Sequence, residues 1–250
     1  MKILNFIIIF LFSSLLFGQN LELEYSGVLR QKLPDEVKED ILKDNEYGRE
    51  QVKMNEEPDP AYYRMLIGDK ESNFIYIEKI NNDQDPDKPV IIQSPGGFGN
   101  TYHNLEKNET RQEFDVYGKK YFSVDPLEEF NWKITKETKE ILDFEVRKAT
   151  SENEEASIIA WYAPKINISN GPAEYNGLPG LILEVEFQSK QFPVSINYKA
   201  ESIKVLNKKP KIIIPDKGEK ISANAVQGLF DEANKQREEM YRNSQGVDKD

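Results

Sequence analysis

The chain has 250 residues, a formal charge of −11 and no cysteine. So acidic a surface repels nucleic-acid phosphates and anionic headgroups, which excludes DNA and RNA as partners. The absent cysteine excludes disulfides, thiol catalysis and a lipid-modified N-terminus.

Met1-Lys2, the apolar run Ile3 to Leu16 and the end Phe17-Gly18-Gln19 have the layout of an export signal cleaved after Gly18. Residues 1–18 are thus read as a leader and 19–250 as one β-rich domain. The run is short of the roughly 20 apolar residues that span a bilayer, and the sequence after it has no second one of that length. The expected address is the periplasm, with the cell exterior or the outer membrane as other destinations.

Leu21, Leu23 and Tyr25 alternate with polar neighbours, as in a half-buried strand. Pro34 to Lys53 is highly charged, with Val37, Ile41 and Leu42 as a sparse stripe, and predicts a helical insert over the sheet. Tyr62 to Ile67 and Phe74 to Ile80 flank the turn from Gly68 to Ser72 and predict a hairpin. Residues 81–100 predict a long loop. Phe114 to Tyr117 and Tyr121 to Val124 form a second hairpin around Gly118-Lys119. Further strands are expected from Trp132 and Ile134 onward, then at Ile141 to Thr150, Ala156 to Ala163, Leu181 to Gln188 and Val194 to Val205. Ser222 to Asn243 places Val226, Leu229, Phe230, Ala233, Met240 and Tyr241 on one helical face, with Ser222 as its cap and the helix as a lid over the sheet. The set predicts a mainly β fold: one curved antiparallel meander or partly open barrel with a C-terminal amphipathic helix.

The motifs for common chemistry are incomplete. Asp83, Asp85 and Asp87 match the start of a calcium loop, but Lys88 and Ser94 stand where glycine and glutamate are required. Gly96-Gly97-Phe98-Gly99 lacks the lysine and hydroxyl of a phosphate loop. His103, the only histidine, has no partner motif and reads as a surface or edge residue. No metal or cofactor is implied. The acids are too many for spacing to select a glycosidase pair.

Ile158 to Phe187 is the richest stretch. Leu178-Pro179-Gly180-Leu181 predicts a type II turn. The strand leaving it would put Leu181, Leu183, Val185 and Phe187 on one face. Trp161 and Tyr162 are adjacent, so one ring enters the core and the other is free to line a groove. Gly177-Leu178-Pro179-Gly180-Leu181-Ile182 is preceded in order by Tyr117-Gly118 to Asp125, Trp132-Lys133-Ile134, Lys148-Ala149, Ala160-Trp161-Tyr162 and Gly171-Pro172. In these residues the chain resembles the GLPGLI family, exported proteins of Bacteroidota-type bacteria, over about residues 60–210. The resemblance implies export, a β-rich fold and an envelope accessory role beside TonB-dependent outer-membrane receptors. It supplies no reaction and no catalytic residue. Relatives carry a cysteine near Val146, so no redox or metal role built on it applies here.

The resulting expectation is a non-enzymatic envelope binding protein. Gly171, Pro172 and the hexapeptide make its turn, and Trp132, Trp161 and Tyr162 are its candidate ligand or partner contacts. A carboxylate-dependent hydrolase of an envelope polymer is the alternative.

Overall fold

The computed structural model describes residues 20–43, 45–78, 99–116 and 118–245. The leader, the Asp83 to Asp87 run and Gly96 to Phe98 lie outside the described residues.

The elements run β1 (Asn20–Gln31), α1 (Asp35–Leu42), α2 (Asn45–Glu56), β2 (Ala61–Gly68), β3 (Glu71–Ile77), β4 (Asn100–Asn104), β5 (Glu109–Val116) and β6 (Lys119–Asp125). They continue with β7 (Lys133–Ile141), β8 (Phe144–Glu152), β9 (Ala156–Ala163), β10 (Leu181–Ser189), β11 (Val194–Leu206), β12 (Glu219–Ile221) and α3 (Val226–Gln245). The described strands form one open sheet in the order β12-β6-β5-β4-β3-β2-β1-β11-β10-β9-β8-β7. It is mainly β and antiparallel, as expected, and it does not close into a barrel. Two meanders, β2 to β6 and β7 to β11, are joined because β1 pairs with β2 on one side and β11 on the other.

Alternation in β1 fixes the sheet's inner face. Leu21, Leu23 and Tyr25 are fully buried there, opposite Ile67, Met65 and Tyr63 of β2. Phe74 continues the row and stacks on Tyr63 with centroids 4.6 Å apart. Tyr198 meets both rings edge-on, at 5.6 and 5.7 Å. Such offset and perpendicular contacts suit aromatic quadrupoles. Tyr25 Oη donates 2.7 Å to the Ile182 carbonyl, tying β1 to β10 across β11.

Four expectations are corrected. Ile141 to Thr150 is two strands, not one: Leu142 and Asp143 both take positive φ, 50° and 63°, and turn β7 into β8. A leucine there hides the turn, because such turns usually announce themselves with Asn or Gly. The loop expected to reach residue 100 gives way to β4 at Asn100, and every residue of that strand is buried. Its polar sequence reads as loop because its amides are satisfied by other chain segments. Asn73 Nδ2 and Asn100 Nδ2 both donate to the Ile213 carbonyl, at 2.7 and 2.9 Å, and Ile213 N donates to Asn73 Oδ1 at 2.6 Å. Residues 207–218 thereby form a strap across the outer face, leading to β12, which pairs in parallel with β6. Third, Ser222 makes no side-chain cap; a short 3-10 turn at Ala223–Ala225 intervenes before α3. Fourth, α3 neighbours that turn and β5 rather than lying as a lid over the middle of the sheet. The helical insert is real but split, and Val37 and Leu42 of its stripe are exposed.

Among the described residues no helix is long and apolar enough to cross a membrane. β7 forms one edge of the sheet and alternates Lys and Glu along it.

Removing the Tyr25 hydroxyl leaves the buried Ile182 carbonyl short of a donor. Tyr25→Phe is expected to cost about 1–3 kcal/mol in urea denaturation; unchanged stability would show that the bond contributes nothing.

Candidate functional site

An open sheet exposes its inner face unless something covers it. Here residues 164–180, between β9 and β10, lie across it. Ile166, Ile168, Tyr175 and Leu178 are all buried against the core. Two asparagines anchor this segment.

Asn170 binds the β2–β4 half. Its Nδ2 donates to Ser72 Oγ at 2.8 Å, and its Oδ1 accepts from Gly171 N at 2.9 Å. The backbone donor fixes which end of the amide faces His103, whose Nδ1 lies 3.0 Å from the same oxygen. His103 therefore carries its proton on Nδ1 and leaves Nε2 a bare acceptor. Nε2 is buried without a hydrogen-bond partner. The sequence reading of His103 as a surface or edge residue is overturned: it is 2% exposed on an interior strand. Burial pushes its pKa down, and the Asn170 bond offsets only part of that.

Asn176 binds the other support, the 126–132 loop. Its Nδ2 donates to the carbonyls of both Glu128 and Glu174, at 3.1 and 3.0 Å. Trp132 Nε1 donates back to the Asn176 carbonyl at 2.8 Å. Trp132 stacks on Phe130 at 5.1 Å, Phe130 on Tyr175 at 5.5 Å, and Tyr175 approaches Tyr198 at 6.4 Å. A continuous file of rings thus runs from half-buried Trp132 into the core.

Glu174 sits beside this file. Its side chain reaches solvent, yet protein surrounds it so closely that desolvation is the main influence raising its pKa; the nearby Glu128 charge adds to the rise. The Tyr175 hydroxyl lies near the Glu174 charge, and the tyrosine's own pKa is driven up by burial and then by that charge. Tyr198 is likewise raised by burial first, then by Glu174. Among the described residues no group of three or more His, Asp or Glu is placed to hold a metal ion.

The three predicted contact residues do not meet. Trp132 is half-buried, with Gly177 beside its indole. Tyr162 is 1% exposed and packs in the core. Trp161 lies on the opposite face of β9, with Lys139 4.3 Å and Lys148 6.0 Å from its ring centre. Lys139 also pairs with Glu184 at 2.7 Å, so that face is a charged lattice and not an open groove.

The hexapeptide works as a closure. The expected type II turn is replaced by a tighter one: Gly180 N donates to Leu178 O at 2.8 Å, around Pro179, while Leu181 N donates to Ile166 O at 3.0 Å. A Cβ on Gly180 would stand 2.4 Å from the Ala163 carbonyl oxygen. Gly171 is as tightly held, with Ile182 Cβ at 2.8 Å from such an atom, and Pro172 beside it is buried. The strand after the turn is bulged. Ile182 pairs with Tyr162 and Glu184 with Trp161, so Leu183 is the extra residue and the expected two-face alternation fails. Leu181, Ile182 and Leu183 are all fully buried as a result.

Sequence reasoning missed Glu174, Tyr175, Tyr198 and Asn170. Glu174 and Tyr175 stand between Gly171-Pro172 and the hexapeptide, a position that was the available signal.

A family model described as a protein of unknown function (Porph_ging) matches residues 150–184, a stretch that includes the hexapeptide. No curated protein matches the chain. Two solved structures of PNGF-II, in space groups C2 and P21, superpose with TM-scores of 0.52 and 0.54 at 15% identity. Each alignment covers 86% of this chain and 33% or 34% of the other. The chain spans about a third of the length of those proteins, and the likeness is one of fold.

Two outcomes follow. Gly180→Ala should cost about 1–3 kcal/mol in denaturant unfolding, as overpacking against a carbonyl does; a neutral substitution would mean the turn yields freely. His103, the only histidine, gives isolated ring signals in an NMR titration. Its midpoint should lie below the usual value of about 6.5. The unfolded chain then takes the proton first, so this contribution to stability is lost as pH falls below about 6.5. A midpoint at or above that value would contradict a buried neutral ring.

Proposed function

We propose that the protein is an exported, non-enzymatic cell-envelope binding module of the GLPGLI type, whose binding surface lies around Trp132 and Glu174. The observation that carries this reading is half-buried Trp132, stacked on Phe130 and hydrogen-bonded to the Asn176 carbonyl of the segment that covers the core. Preorganised polar groups on an apolar lining are the usual make-up of a binding site. The leader-like residues 1–18 and the ordered motifs support export. Its partner would be a TonB-dependent outer-membrane receptor or another envelope protein, in or beyond the periplasm. Gly171, Pro172 and the hexapeptide hold the surface in place, and Trp132 borders it.

Native mass spectrometry of the protein isolated from its host tests this. The expected spectrum shows a chain beginning at Gln19 that retains a ligand or envelope partner, and Trp132→Ala releases it. An intact leader would overturn export, and a bare chain would overturn the binding role.

One observation favours a second reading, a carboxylate-dependent hydrolase: the Glu174 pKa is raised, by desolvation first and by the Glu128 charge in addition, as a general acid's is. Under it, the protein would cleave an envelope polysaccharide and Glu174→Gln would abolish turnover; product formation unaffected by that change would remove the reading.

A further inference from the structure

Past the lattice around Trp161, two residues farther along each strand, the outer face of the sheet opens into a cavity of about 370 Å³. Two rows of paired residues line it. Arg30, Ser195, Gln188 and Ser157 stand side by side on β1, β11, β10 and β9. Asn197, Glu186 and Ile159 form the next row, on β11, β10 and β9. Residues paired across antiparallel strands point to one face, so these side chains share one space. Its volume is at the lower end of the roughly 300–1,000 Å³ of small-molecule sites.

The chain leaves most of the polar groups here unused. Glu184, two residues before Glu186, pairs with Lys139 at 2.7 Å, yet Arg30 and Glu186 have no ion pair or side-chain hydrogen bond among the described residues. The hydroxyls of Ser157 and Ser195 have none among them either. Gln188 Nε2 donates to the carbonyls of Ser189 and Val194, at 3.2 and 3.1 Å, and Asn197 Nδ2 donates to the Val185 carbonyl at 3.3 Å. A backbone carbonyl only accepts, so each amide is fixed with its oxygen spare. The lining thus offers a carboxylate and two amide oxygens as acceptors, a guanidinium as donor, two hydroxyls that do both, and the half-buried apolar side chain of Ile159.

An apolar occupant would take water from these groups and return no bond. An anion would meet one guanidinium against a carboxylate, two amide oxygens and a chain of charge −11. The guanidinium and the carboxylate balance each other, so the occupant needs no net charge. β1, β11, β10 and β9 are each paired on both sides, so an extended peptide finds no strand edge to join. The lining instead suits a small neutral molecule dense in groups that both donate and accept, with C–H surface for Ile159.

We propose that this outer-face cavity binds a neutral saccharide, whose hydroxyls donate to Glu186, Gln188 and Asn197 and accept from Arg30. The site is separate from the surface around Trp132 and does not depend on it.

The test follows the side-chain amide signals of Gln188 and Asn197 by NMR while the purified protein is titrated with cellobiose, lactose, maltose or N,N′-diacetylchitobiose. At least one sugar should shift both signals in a saturable way. Arg30→Ala and Glu186→Ala, at exposed positions, should each weaken that binding by about tenfold. Glu145→Gln, exposed on β8 outside the cavity, should leave it unchanged. A circular dichroism spectrum matching the parent confirms that each variant is folded. No saturable shift with any of the sugars at tens of millimolar overturns the proposal, as does unchanged affinity in both alanine variants. Tighter binding of glucuronate or of diglycine than of every neutral sugar overturns the ligand class. A sugar released by Trp132→Ala but kept by Glu186→Ala overturns this cavity and leaves the Trp132 surface standing. A sugar kept by Trp132→Ala and lost with Glu186→Ala supports the cavity, whatever becomes of the Trp132 surface.

Discussion

A single open sheet with no second layer must hide its inner face with its own chain, and the rest of this structure depends on how residues 164–180 do so. The segment runs over the core rows of β1, β2 and β11 and is fastened at both ends by an asparagine. Asn170 uses both ends of its amide and Asn176 spends its Nδ2 on two backbone carbonyls, and such bonds lower the desolvation cost of burying the group. Asn170 locks a histidine tautomer while holding the strands; Asn176 locks the neighbouring loop. Glycine is required at 171 and 180 by close approach to Ile182 and Ala163 respectively. The segment is therefore a rigid second layer of the fold, built of loop instead of strand.

That layer also explains the chemistry of its surface. A carboxylate on a mobile loop would keep its water and its ordinary acidity. Glu174 is exposed, yet Pro172, Ala173 and Tyr175 around it are buried, and the surrounding protein pushes its pKa up.

Much of the fold could be read from residue order. Strands with a buried and a wet face, such as β1 with Leu21, Leu23 and Tyr25, declare themselves by alternation. The turns at Asp69-Lys70 and Gly118 do so by composition. The failures share a physical origin: their partners lie far away in sequence. Asn100 reads as the end of a loop because the groups that satisfy its amide come from Asn73 and Ile213. The Leu142-Asp143 turn is forced by pairing of β7 with β8 rather than by turn-forming residues. The bulge at Leu183 depends on where β9 sits. Of the site, the motif and Trp132 were visible. Trp161 misled, since a lone tryptophan in a strand looks the same whether a ligand or two lysines cover its ring. Glu174 was one acid among the 44 Asp and Glu of the chain, and only the burial of its neighbours sets it apart.

A sheet that never closes keeps a free flank, and at β7 that flank is written in Lys133, Lys136, Glu137, Lys139 and Glu140. Another strand adding there would bury those charges or set like against like. Fibril-like stacking of one molecule on the next is thus discouraged by side-chain charge, doing the work that ring closure performs in a barrel. The same flank would turn into an adhesive seam if its lysines and glutamates were exchanged for residues with greasy or hydroxylated branches.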